Sequence, residues 1–160
     1  MLPVLVGSHP ESPWIEDCLK SIRTTTDRPI TVHTIGGHEP FALRTGLQWG
    51  RFLFLQDSCR ILDAAFWEVV DSSGPSFLFG RPAMFLGIYD SQHLRPLLPT
   101  EPVDKETSIR LEVELADSLG YPSIWPDVLD RTALRREHRN GRDNLVLGNE
   151  LIEKHKGTWR

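Results

Sequence analysis

RFLFLQDSCRILD, residues 51–63, places four consecutive apolar residues, Phe52 to Leu55, just ahead of a lone carboxylate at Asp57. A short apolar run of this kind reads as a buried strand, and Gln56-Asp57-Ser58 reads as its carboxyl end. In open α/β sheets ligands bind beyond the carboxyl ends of strands, which makes Asp57 a candidate site residue. The alternative is that Asp57 and Ser58 only begin a turn, as these residue types often do.

The flanks supply the rest of the pattern. Upstream, LPVLVGSH reads as a strand running into a polar loop. SPWIEDCLKSIRTTT then reads as a helix, with Ser12 as N-cap, Pro13 in the first turn, and Ile15, Cys18, Leu19 and Ile22 on one stripe. PITVHTIGG is a second strand with a Gly-Gly exit, and EPFALRTGLQWG suits a short helix before the strand at 52–55. The order βαβαβ predicts an α/β fold in one domain, with a mostly parallel sheet, right-handed crossovers and flanking helices.

Downstream, AAFWEVVDSSG is a helix closed by Gly74 and SFLFG another apolar strand. A strand is expected around Met84 to Ile88, then a turn of helix near Ser91 to Arg95 and a proline-broken loop. DKETSIRLEVELADSLG is the clearest helix, capped by Asp104 and ended by Gly120, with Ile109, Val113 and Ala116 marking its apolar face. A last helix is expected from about Asn144 to Lys154, interrupted only by Gly148.

Composition narrows the class. With 39% hydrophobic and 25% charged residues in 160, the chain has the profile of one globular domain with a real core. Its apolar runs fall far short of the ~20 residues of a membrane span, and MLPVLVGSHPESP lacks the basic and apolar regions of a signal peptide. A soluble, cytoplasmic protein without membrane partners is the expectation. Cys18 and Cys59 lack the spacing of a zinc site or a disulfide framework and read as buried free thiols. The net charge of −4 gives no global attraction to nucleic acid. Locally, RTALRREHRNGR (131–142) gathers five arginines and a histidine against one glutamate, a cluster that suits phosphates or a solvated surface face.

Taken in order, these motifs resemble a very short GT-A type glycosyltransferase of the family-2-like kind, over roughly residues 2–128. The carriers are VLVGSHPESPWIEDCLKSI, then Thr45-Gly46 and Gln56-Asp57-Ser58 in FALRTGLQWGRFLFLQDS, then MFLGIYDSQHL, DKETSIRLEVELADSLGY and SIWPDV. The resemblance implies a Rossmann-like nucleotide-binding core, with a nucleotide-sugar half at about 1–62, an acceptor half at about 63–130 and a basic C-terminal segment at 131–160. It implies transfer of a sugar from a donor such as a UDP-sugar to an acceptor hydroxyl. Very small enzymes of this type are similar to those of bacteriophages, whose acceptors include hydroxymethylated bases in DNA and virion proteins; the host cytoplasm would then be the compartment.

The roles implied follow residue by residue. Ser8, His9, Glu11, Thr45, Gln56 and Asp57 would contact the nucleotide-sugar, and Asp57 would hold Mg²⁺ or Mn²⁺, joined by His138 or His155. Glu106 would be the base for the acceptor hydroxyl, and Arg135, Arg136 and Arg139 would meet a polynucleotide acceptor. Three departures from the family pattern stand out. One acid occupies the metal motif, Gly36-Gly37 stands where an acid usually follows the second strand, and Glu106-Thr107 replaces a Glu-Asp pair. A nucleotidyltransferase is a competing reading, weakened because no Gly-rich phosphate loop follows the first strand. A non-catalytic binding module of the same fold is another.

Overall fold

Strand β1 (Val4–Gly7) pairs in parallel with β2 (Ile30–His33) on one side and with β3 (Arg51–Gln56) on the other. The computed structural model describes residues 1–34, 36, 38–80, 85–129, 133–139 and 142–156, and the side chains of Ala133, Leu134, Arg139 and Arg142 lie outside that description. Beyond β3 the sheet continues through β6 (Gly87–Asp90) and β5 (Ser76–Phe79) to β7 (Ser123–Trp125), in the order β2-β1-β3-β6-β5-β7. Both contacts of β6 are antiparallel, while β5 and β7 are parallel, so β6 alone among these strands runs against the rest. The strand expected around Met84 to Ile88 lies further along the chain as β6, sharing only Gly87 and Ile88 with the expectation; Phe85 is in a turn and Met84 is outside the described residues.

Alternation along the strands supplies two apolar layers. Val4 and Val6 of β1 and Leu53 and Leu55 of β3 meet α1 (Ile15–Arg23) and α3 (Ala65–Ser72) through Cys18, Ile22, Phe66, Trp67 and Val70. Leu5, Phe52 and Phe54 point the other way. They meet α2 (His38–Ala42), the 3₁₀ helix Leu43–Gln48, α4 (Ser91–Leu94) and α5 (Lys105–Leu119). The run at 52–55 is apolar throughout because helices cover both sides of it. Phe52 to Leu55 are all fully buried, and truncating a side chain such as Phe54 to alanine would cost about 3–5 kcal/mol.

Two helix ends differ from expectation. Helix α1 begins at Ile15, because the Ser12 hydroxyl accepts from the Trp14 N–H in a turn that precedes the helix. Helix α3 stops at Ser72, with Ser73 already extended, ahead of Gly74. Helix α5 is capped by Asp104, which accepts from the Thr107 N–H at 2.7 Å, and ends on Gly120 at φ +62°, both as expected. Of the residues expected to mark its buried face, Ala116 is buried and the other two are not. Ile109 and Val113 are 58% and 55% exposed, while Ser108, Leu115 and Ala116 are buried.

The larger correction concerns the C-terminal segment. In place of a helix at 144–154, strands β9 (Arg142–Gly148) and β10 (Ile152–Lys156) form a hairpin, joined by β8 (Ala133–Arg139) and β4 (Cys59–Ile61) in an antiparallel sheet of order β4-β10-β9-β8. Gly148, at φ +145°, turns the chain, and a Cβ there would collide with the backbone of Ile152. Asn149 then accepts from the N–H groups of Leu151 and Ile152, closing the turn with its side chain. Strand β4 follows β3 directly through Asp57-Ser58, so this second sheet grows from the carboxyl edge of the first. No described helix is long and apolar enough to cross a membrane.

Candidate functional site

The carboxyl ends of β1 and β3 lie side by side, and the residues just beyond them are tied together. The Asp57 N–H donates to Gly7 O at 3.0 Å and the Ser8 N–H to His33 O at 2.8 Å, so the exits of β1, β2 and β3 share one edge. The Ser8 hydroxyl donates to Asp57 Oδ2 at 3.0 Å. Gln56 Nε2 donates to Glu39 Oε1 at 3.1 Å, and the Ser108 hydroxyl approaches Glu39 Oε2 at 3.4 Å. Glu39 thereby links the end of β3 to the N-terminal part of α5.

Of the donor-side residues expected from sequence, Ser8, Gln56 and Asp57 come together. Thr45 stands one step away, its hydroxyl 3.1 Å from His33 Nδ1 at the end of β2. His33 Nε2 is buried and has no hydrogen-bond partner among the described residues, and the ring packs edge-on against Phe41. His9 accepts from the Glu11 N–H through Nδ1, and the Glu11 side chain is exposed. Glu106 is exposed in the first turn of α5, where an acid also complements the helix dipole.

Sequence reasoning missed Glu39. The legible signal was an acid three residues beyond Gly36, in the first turn of the following helix. Gly37 lies outside the described residues. Entry to that helix is strained, since His38 has φ +64°, a region that non-glycine residues rarely occupy.

The second sheet closes over the same edge. The His155 N–H donates to Ser58 O at 3.0 Å, and Lys154 Nζ donates to Ser58 Oγ at 2.6 Å. Trp14, just ahead of α1, stacks on the His155 ring with centroids 5.2 Å apart. His155 Nε2 lies 2.9 Å from an Arg60 guanidinium nitrogen, and Arg60 Nε donates to Glu153 at 2.8 Å. Arg135 reaches Glu153 at 3.0 Å and Glu137 at 3.3 Å. Burial and Arg60 together push His155 below the ordinary histidine value, which keeps its ring neutral near neutral pH. Burial alone would raise the Glu153 carboxyl, but Arg135 and Arg60 hold it below the usual glutamate range.

Among the described residues no group of three or more His, Cys, Asp and Glu side chains could hold a metal ion. Cys18 and Cys59 flank the edge as buried thiols, and burial pushes Cys18 well above the ordinary thiol value and Cys59 up to about 11, so both stay protonated. His155 presents Nε2 to Arg60, a cation that opposes metal there. His138 sits on β8, three strand spacings from β4 and on the order of 14 Å away, with Nδ1 paired to Asp143 at 3.1 Å. It does not reach Asp57.

The described part of the arginine cluster lies in strands, residues 133–139 in the edge strand β8 and Arg142 at the start of β9. Arg135 is engaged by two glutamates, and neighbouring Arg136 is exposed. Only the backbone of Arg139 is described, paired with Arg142. No protein-family model matches the chain, and comparison with characterised proteins returned no match.

Proposed function

We propose that the chain is a nucleotide-sugar-dependent glycosyltransferase of GT-A type, with the donor lying across the carboxyl ends of β1 and β3. The observation that carries this reading is the meeting of Ser8, Gln56 and Asp57 at that edge, with Glu39 braced behind them. Ligands of open parallel sheets bind at such an edge, and the order of motifs along the chain supports a nucleotide-sugar in particular.

In the proposed reaction the acceptor hydroxyl oxygen forms a bond to the sugar C1 as the bond from C1 to the diphosphate breaks. The electron pair leaves with the diphosphate and the hydroxyl proton passes to a carboxylate, with inversion at C1. Glu106, exposed at the start of α5, is the proposed base. Glu39 is held by Gln56 and Ser108 and serves as a positioning residue. A hydroxylated base in DNA or a protein hydroxyl is the proposed acceptor, and the exposed Arg136 supports the former.

A non-catalytic nucleotide- or sugar-binding module is the second reading, favoured by a single carboxylate at the metal motif and by the lack of a metal-holding group among the described residues. Thermal unfolding with nucleoside diphosphates and nucleotide-sugars, with EDTA or with Mn²⁺, tests the donor site, because a ligand that binds only the folded chain raises the midpoint. Incubation of a stabilising nucleotide-sugar with hydroxymethylated duplex DNA and with a protein acceptor then tests transfer. Stabilisation without transfer favours the binding module, and no stabilisation by any nucleotide ends the glycosyltransferase proposal.

A further inference from the structure

We propose that Lys154 is an anion-binding residue that receives phosphoryl oxygens of a nucleoside diphosphate beside the end of β3, supplying the positive charge for which a divalent ion was expected. The nucleoside part of this assignment rests on the glycosyltransferase reading; the anion part rests on Lys154 itself.

Lys154 is 6% exposed, and its ammonium has one hydrogen-bond partner among the described residues, the Ser58 hydroxyl at 2.6 Å. No carboxylate among those residues is in salt-bridge contact with it. Buried cations are ordinarily paired, because an ammonium removed from water without a counter-charge is costly. On the neighbouring positions that requirement is met: Arg60, Arg135, Glu137 and Glu153 form one mutually paired network. Strand alternation separates Lys154 from them. It stands opposite Cys59 in the β4–β10 ladder, whereas Glu153 stands opposite Arg60.

The position suits a diphosphate. Ser58 follows Asp57 at the mouth of β3, and both Lys154 and Asp57 act electrostatically on the buried thiols Cys18 and Cys59. Because Ser58 accepts from Lys154 and follows Asp57 in the chain, the ammonium and the lone carboxylate belong to one small neighbourhood, with Asp57, held through one oxygen by Ser8, placed to accept from donor hydroxyls and Lys154 to meet phosphoryl oxygens. In the transfer step negative charge grows on the departing diphosphate, and a fixed ammonium in a water-poor setting stabilises that charge without proton transfer. The competing explanation is structural, with Lys154 acting only as a clamp between β10 and the Asp57-Ser58 turn.

The full chain in EDTA, titrated with inorganic pyrophosphate and separately with uridine diphosphate, distinguishes these. Both probes are expected to raise the unfolding midpoint of the wild type and of Lys154→Arg, while Lys154→Met, close in volume but uncharged, binds each at least tenfold more weakly. A wild type that responds to neither probe in EDTA, or that needs Mn²⁺ to respond, overturns the proposal whether or not the methionine variant folds. A folded Lys154→Met chain that binds both probes as the wild type does also overturns it and leaves the clamp. Uridine diphosphate binding no tighter than pyrophosphate, with both lost in Lys154→Met, upholds the anion site and removes the nucleotide reading.

Discussion

Ser8 and Asp57, 49 positions apart, are joined by a hydrogen bond of 3.0 Å from the serine hydroxyl to Oδ2. The bond holds one carboxylate oxygen at the mouth of the sheet. Asp57→Asn keeps an acceptor for Ser8 and leaves the side-chain volume nearly unchanged at a half-buried position, so the free energy of unfolding is expected to stay within about 0.5 kcal/mol of wild type. Charge-assisted hydrogen bonds to a donor would be lost, and uridine diphosphate-sugar affinity measured by calorimetry is expected to fall about tenfold or more. Unchanged affinity removes Asp57 from the site.

Glu106 and Glu39 should separate by their kinetics. Glu106→Gln removes a base on an exposed first turn and is expected to lower the transfer rate by about 10² with donor affinity nearly unchanged. Glu39→Ala removes the carboxylate that accepts from the Gln56 amide and the buried Ser108 hydroxyl and is expected to destabilise the fold by about 1–3 kcal/mol, read by urea unfolding. A double-mutant cycle with Ser108→Ala should show coupling of about 0.5 kcal/mol or more. Full transfer by Glu106→Gln, or additivity in the cycle, contradicts these roles.

On the other face of the sheet, Arg28 meets Asp71 through two bonds of 2.9 and 3.0 Å and lies 4.2 Å over the Trp67 ring. The Arg28 side chain is 1% exposed and that of Asp71 38% exposed. Asp71→Asn leaves the buried guanidinium without its counter-charge and is expected to cost about 1.5–3 kcal/mol. The hydrogen bonds from Arg28 hold the Asp71 carboxyl below its ordinary value. Its contribution is therefore fully present above the unfolded value, near pH ~4, and is lost as pH falls through the lower folded value. Unfolding midpoints followed below pH ~4 should drop more steeply for the wild type than for Asp71→Asn, and parallel curves would show that the pair is not linked to acid stability.

Arg135 and Arg136 are adjacent in sequence and should behave as opposites. Arg135→Ala removes bonds to Glu153, which is 2% exposed, and is expected to lower stability measurably with a smaller effect on acceptor binding. Arg136→Ala should leave stability within about 0.5 kcal/mol. If the acceptor is a polynucleotide, it should also reduce the salt dependence of binding by about one unit of slope. An unchanged slope, with binding confined to a protein acceptor, would exclude the nucleic-acid role.

The sequence alone determined the elements whose signals are local. Phe52 to Leu55 formed a buried strand because every position is apolar and is followed by turn residues; Asp104 and Gly120 bounded α5 because a side-chain acceptor and an αL glycine act within a few residues. The βαβαβ order likewise implied the parallel pairing of β1, β2 and β3, since short crossovers allow little else. Tertiary structure decided what local signals leave open. Helical spacing made either face of α5 plausible, and the buried Ser108 bonded to Glu39 goes with the face that leaves Ile109 and Val113 in solvent. Residues 144–154 carry apolar residues that fit a helix or a strand, and pairing with β4 and β8, together with the turn at Gly148-Asn149, selected the strands. Lys154 meets Ser58 across 96 positions, Glu39 meets Ser108 across 69, and His138 is carried away from Asp57 by the order of the second sheet. Contacts at such separations depend on how whole elements pack, and no period or spacing along the chain encodes them.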